Sequence, residues 1–128
     1  MLLLDTCTLL WLATGSKKLS DRARDAIAAH AGRLHVSGIT GLEIALKHAR
    51  GALTLPLAPD EWVGRALRRH GLAEVPVTLA IAARSGMLPP LHRDPFDRIL
   101  VATAQLRALT LLTPDPAIAA YPDLRICW

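Results

Sequence analysis

The sequence of 128 residues predicts an α/β fold: a central, mostly parallel sheet of four or five short strands covered by helices. Short apolar runs such as Leu2-Leu3-Leu4 and Leu109-Thr110-Leu111-Leu112 stop abruptly at polar or turn residues, as strands buried on both faces do. Between these runs lie stretches with apolar residues at helical spacing, and parallel strands need such crossovers. The length suits one core and is short for two, so residues 1–128 are read as a single domain.

The first strand, Leu2–Leu4, ends at Asp5. Asp5 or Thr6 can cap the next pattern, Leu9, Leu10 and Ala13, a short helix stopped near Gly15. Ser20 caps a second helix with Ala23, Ala26, Ile27 and His30 on its inner side, and Gly32 ends it. Leu34–Val36 is the second strand. A helix then starts near Thr40, carries Leu42, Ala45, Leu46 and Ala49 as one stripe, and stops at Gly51.

Leu53 to Pro59 is a proline-broken connector. Asp60 to His70 is a helix with Trp62, Val63, Ala66 and Leu67 inward and Arg65, Arg68 and Arg69 outward. Ala73–Val75 is a short strand before Pro76. Thr78 opens a helix to about Ser85, which Gly86 closes. Asp94 caps and Pro95 begins a helix to Arg107, with Phe96, Ile99, Leu100, Thr103 and Leu106 at helical spacing. Leu109–Leu112, a short helix around Pro116 to Ala120, and a last strand, Leu124–Ile126, complete the chain.

Composition narrows the function classes. At 52% apolar residues the chain folds rather than stays disordered, and a net charge of +4 suits a polyanionic partner. Three Trp, one Tyr and one Phe leave few platforms for base stacking, so contacts to nucleic acid would rest on Lys, Arg and phosphate. Cys7 and Cys127 stand alone at opposite ends and read as reduced thiols. The apolar start lacks a basic segment and is interrupted by Asp5, which argues against a signal peptide. No stretch reaches the roughly 18–20 apolar residues of a membrane span. A cytoplasmic protein without membrane contact is expected.

Ligands of open parallel sheets bind beyond the carboxyl ends of the strands. Asp5 and Asp115 each follow a strand, Glu43 lies one turn into a helix after a strand, and Asp97 begins the helix that leads back to one. Four carboxylates from distant parts of the chain can thus reach one cleft. Like charges raise one another's pKa, and a hard divalent cation relieves that conflict. Without a His/Cys cluster zinc is disfavoured, whereas Mg²⁺ accepts a few oxygens and keeps waters. In a basic protein this suggests phosphodiester hydrolysis.

Each residue also has a plainer reading. Asp5, Asp97 and Asp94 are good helix starters, and Asp115 between two prolines suits a turn. Glu43 and Lys47 have the i,i+4 spacing of a surface pair, so spacing alone leaves Glu43 structural. His92 lacks metal-ligand spacing and reads as a loop residue. Arg65, Arg68 and Arg69 read as a solvated face. Arg98 either holds Asp97 or meets phosphate.

Four segments occur in order: Leu3-Leu4-Asp5-Thr6, Ser37 to Lys47 around Glu43, Leu91 to Ala104 around Asp94-Pro95-Phe96-Asp97-Arg98, and Leu111-Leu112-Thr113-Pro114-Asp115. In this the chain resembles the PIN-domain ribonucleases, and among them the VapC toxins of bacterial toxin–antitoxin pairs, over essentially its whole length. The resemblance implies a PIN-like three-layer fold and a Mg²⁺- or Mn²⁺-dependent endoribonuclease. It implies Asp5, Glu43, Asp97 and Asp115 as catalytic, metal-holding acids, with Asp94 a capping neighbour. It also implies an RNA substrate, a VapB-like antitoxin that blocks the acidic cleft, and a homodimer.

Two other classes are compatible with the residues. An aspartyl-phosphate phosphatase would use Asp5 as nucleophile, but the haloacid-dehalogenase pattern wants a second Asp where Cys7 stands. A non-catalytic RNA- or protein-binding module of the same fold would bind without turnover, and the presence of all four acids weighs against it.

Overall fold

The computed structural model describes residues 1–128. The elements are β1 (Leu2–Leu4), α1 (Thr6–Thr14), α2 (Asp21–Ala29), β2 (Leu34–Ser37), α3 (Gly38–Ala49), α4 (Pro59–His70), β3 (Leu72–Val75), α5 (Leu79–Met87), α6 (Pro95–Arg107), β4 (Thr110–Leu112), α7 (Pro116–Ala119) and β5 (Arg125–Cys127). The five strands make one sheet in the order β3-β2-β1-β4-β5. Every pairing is parallel, so the expected mostly parallel sheet is wholly so.

Alternation along the strands builds three layers. Leu3 and Leu111 face one side, where Ile81 of α5, Leu100 and Val101 of α6 and Ile118 of α7 cover them. Leu2, Leu4, Val36 and Leu112 face the other, under Leu9 of α1, Ala23 of α2, Ile44 of α3 and Ala66 of α4. With Leu3 and Leu4 fully buried, β1 has no solvent face, as its unbroken apolar run required. No helix is long and apolar enough to cross a membrane. Cys7 and Cys127 are free thiols.

Ser20 and Thr78 cap α2 and α5 as expected, accepting from the amides of Ala23 and Ile81. Three local expectations shift. The α3 cap is Ser37, whose Oγ accepts from Ile39 N, so the helix starts before Thr40 and Thr40 is buried in its first turn. α3 turns Thr40, Glu43 and Ile44 inward, which leaves Leu42 and Leu46 of the apolar stripe exposed. α5 passes through Gly86 to Met87. It ends because Leu88, extended at φ −63° and ψ 152°, precedes Pro89, and a residue before proline disfavours the helical region.

Candidate active site

β1 sits where the sheet grows in both directions, with β2 on one side and β4 on the other. The crevice beyond the carboxyl ends of β1 and β4 is therefore a topological switch point, the usual place for a ligand. Asp5 stands there. Its amide donates to Leu112 O (3.2 Å) and its Oδ1 accepts from Thr8 N (2.8 Å), capping α1. Thr8 Oγ1 donates to the same Leu112 carbonyl (3.0 Å), so cap and β4 move as one unit. Burial raises the Asp5 carboxyl above its ordinary range; hydrogen bonds from Thr113 and Thr8 pull the other way, and the Glu43 charge adds to the rise.

Glu43 is buried on the inner side of α3. Thr6 Oγ1 donates to Glu43 Oε1 (2.6 Å) and lies 3.2 Å from Thr40 Oγ1. Lys47 Nζ meets Glu43 Oε2 at 3.1 Å. The i,i+4 pair thus forms, but with the Glu43 side chain only 10% exposed it is an inward pair and not a surface one. Both oxygens of Glu43 have partners.

Asp94 accepts from Phe96 N (2.8 Å) and, with Pro95 next, starts α6. That start presents Asp97 to the crevice. Asp115 starts α7 by accepting from Ala117 N through Oδ1 (2.9 Å), which leaves Oδ2 free to turn inward. Asp97 Oδ2 and Asp115 Oδ2 lie 3.0 and 3.1 Å from one atom, His92 Nε2. The loop residue of the sequence reading is thus a loop residue set between two acids. Its spacing to Asp94 and Asp97 carries no known ligand pattern, and only the fold reveals the contact.

The Asp97 carboxyl is pushed up to about 7, first by burial and then by the Asp94 charge, with Glu43 and Asp5 adding and His92 opposing. Burial, with the charges of Asp5, Glu43 and Asp97, also raises the neighbouring Cys7 thiol. Crowded carboxylates this poorly neutralised suit a hard divalent cation. His92, Asp97 and Asp115 bring one candidate ligand atom each within 4.8 Å of one another, so this group could hold a metal ion. Asp5 and Glu43 stand outside that tight group, close enough to perturb Asp97 electrostatically.

The basic residues Arg65, Arg68 and Arg69 are exposed. They line a separate cavity of about 530 Å³ with Ala13 and Trp62, and none of the four acids borders it. Arg98 does not pair with Asp97, and binds backbone carbonyls at the end of α5 and in the loop before α6.

Fold and site together define a parallel α/β protein with a carboxylate-lined crevice at its switch point. The sequence matches the family model of the PIN domain over residues 2–124, and the chain belongs to that family. None of the curated proteins matches it. Among solved structures it is similar to the DNA-bound VapBC of Salmonella typhimurium, at 20% identity over 98% of this chain and 97% of that one, with a TM-score of 0.69. It is similar to a toxin–antitoxin complex from Klebsiella pneumoniae, at 25% identity over 97% and 95% of the two chains and TM-score 0.68. VapBC2 of Rickettsia felis, bound to a fragment of its promoter, gives 16% identity over 97% and 95% and TM-score 0.70.

Proposed function

We infer that this protein is a metal-dependent endoribonuclease and the toxin of a toxin–antitoxin pair. The observation that carries the reading is the convergence of Asp97 and Asp115 beside buried Asp5 and Glu43, with Asp97 pushed up to about 7 by burial and then by the charges of its acidic neighbours. A bound Mg²⁺ or Mn²⁺ supplies an activated water and stabilises the leaving oxygen of a phosphodiester. Asp97 and Asp115 would hold the cation, and Asp5 and Glu43 would complete the acidic set.

The chain's own residues prepare that site. Thr8 and Leu112 fix Asp5 at the edge of the sheet. Thr6 and Lys47 fix Glu43 and partly offset its charge, so that it does not repel the other acids at full strength. The excess of cationic over acidic residues, +4, favours approach of an RNA backbone. Membership in the PIN family, with toxin–antitoxin complexes among its structural neighbours, supports an antitoxin partner. Exposed Leu42 and Leu46 on one face of α3 offer apolar surface to a second chain, in keeping with a homodimer.

An Asp5 nucleophile fits less well, since Asp5 is 6% exposed and spends Oδ1 on the α1 cap. The test is RNA cleavage by purified protein in Mg²⁺ or Mn²⁺. Cleavage that stops with EDTA and is lost in Asp97→Asn and Asp5→Asn supports the nuclease. Tight RNA binding without turnover in either metal would make it a binding module instead.

A further inference from the structure

We propose that His92 is a positioning residue that gathers Asp97 and Asp115, and not itself a metal ligand. The proposal rests on the metal-dependent reading of the acids and adds how two of them are held together.

Every polar atom of His92 is engaged. Its amide donates to Tyr121 Oη (3.0 Å) and its carbonyl accepts from Arg98 Nη1 (3.3 Å). Its Nδ1 accepts from Asp94 N (3.2 Å). A neutral imidazole has one N–H and one lone pair, and an amide donor consumes the lone pair at Nδ1. Nε2 therefore carries the proton and donates to Asp115 Oδ2 (3.1 Å), with Asp97 Oδ2 drawn up to 3.0 Å from the same nitrogen. A metal ligand needs a lone pair at Nε2, which this tautomer lacks.

Arg98 explains why the ring stays put. Its guanidinium gathers the carbonyls of Ser85, Leu88, Pro89 and His92, and Nη1 also reaches Tyr121 Oη at 3.3 Å. Tyr121 is itself buried against the α6 side of the sheet. The segment between α5 and α6 is thereby clamped by the residue that follows Asp97. One turn of helix supplies an acid on one face and, on the other, the clamp for the histidine that orients it. Partners that orient metal-holding carboxylates typically change metal affinity about 10–100-fold when removed.

Two measurements test this. In metal-free protein at mildly alkaline pH, nitrogen-resolved NMR of His92 is expected to show the Nε2–H tautomer. The Nδ1–H tautomer overturns the proposal. The second measurement follows Mn²⁺ binding by electron paramagnetic resonance. His92→Ala is expected to weaken it about 10-fold or more, while His92→Gln, which keeps an N–H donor, retains most of the affinity. No imidazole nitrogen should couple to the bound ion. Such coupling, or Gln as weak as Ala, contradicts a positioning role. If the parent binds no Mn²⁺, the cation reading fails on its own and the tautomer still decides the place of His92.

Discussion

Asp97 and Asp115 begin different helices, yet their Oδ2 atoms approach the same nitrogen, His92 Nε2, at 3.0 and 3.1 Å. The relation joins the start of α6 to the start of α7 across the end of β4. It also concentrates negative charge where the protein has little of its own to balance it.

The first consequence is a stability that depends on pH in an unusual direction. Asp97 rises from the ordinary 3.8 to about 7 in the folded protein, so folding favours its protonated form. Its stabilising contribution is complete below the unfolded value and is lost as pH rises through about 7; Asp5, also raised, acts with the same sign. Metal-free protein should melt at a higher temperature at about pH 6 than at about pH 8. Asp97→Asn should remove much of that difference and raise the Tm at the higher pH. Calorimetry in EDTA checks both.

On the proposed reading a cation would compete with that proton. Mn²⁺ should raise the Tm more at about pH 8 than at about pH 6, and its affinity should fall up to about tenfold per unit below 7. At about 100 times its Kd, a ligand adds about 2.7 kcal/mol to the stability of the state that binds it. Thermal shifts at two pH values measure this, and EDTA should reverse them.

Asp94 and Asp97 are expected to separate in their roles. Asp94→Ala removes the acceptor for Phe96 N and should cost about 1 kcal/mol in urea unfolding. It keeps the backbone amide that holds His92. Because Asp94 is the largest charge acting on Asp97, its loss should lower the Asp97 pKa and extend cation binding to lower pH. Asp97→Asn should instead weaken cation binding at every pH, and cleavage with it, by about 100-fold or more. Parallel pH profiles of Mn²⁺ affinity for the two variants distinguish them.

Lys47→Met should strand the Glu43 carboxylate with only Thr6 as partner, at a cost of about 1–3 kcal/mol. Adding Glu43→Gln should recover part of that loss, because a neutral amide no longer repels Asp5. Urea midpoints of the single and double variants check the coupling.

Much of the fold was legible because its signals are local. The run Leu2–Leu4 has only one comfortable place, a strand covered on both faces, and proline and capping residues mark the helix starts. The positions of Asp5 and Asp115 were legible because each follows an apolar strand, and that of Asp97 because it stands in the first turn of α6. Glu43 was not: spacing pairs it with Lys47 on any helix, and only the packing of α3 turns that pair inward and leaves Leu42 and Leu46 outside. Gly86 signalled a helix end that Pro89 in fact imposes. His92 and Arg98 were beyond reach, since Asp115 for the one and the Ser85 and Leu88 carbonyls for the other are brought beside them by tertiary structure.

The most direct measurement is a calorimetric Mn²⁺ titration of the parent and Asp97→Asn, with RNA cleavage followed in the same samples. Saturable binding by the parent, its loss in Asp97→Asn, and cleavage that tracks occupancy are the expected results. RNA cleavage that continues undiminished in Asp97→Asn, or that persists in EDTA, would contradict a cation held by these acids as the agent of hydrolysis.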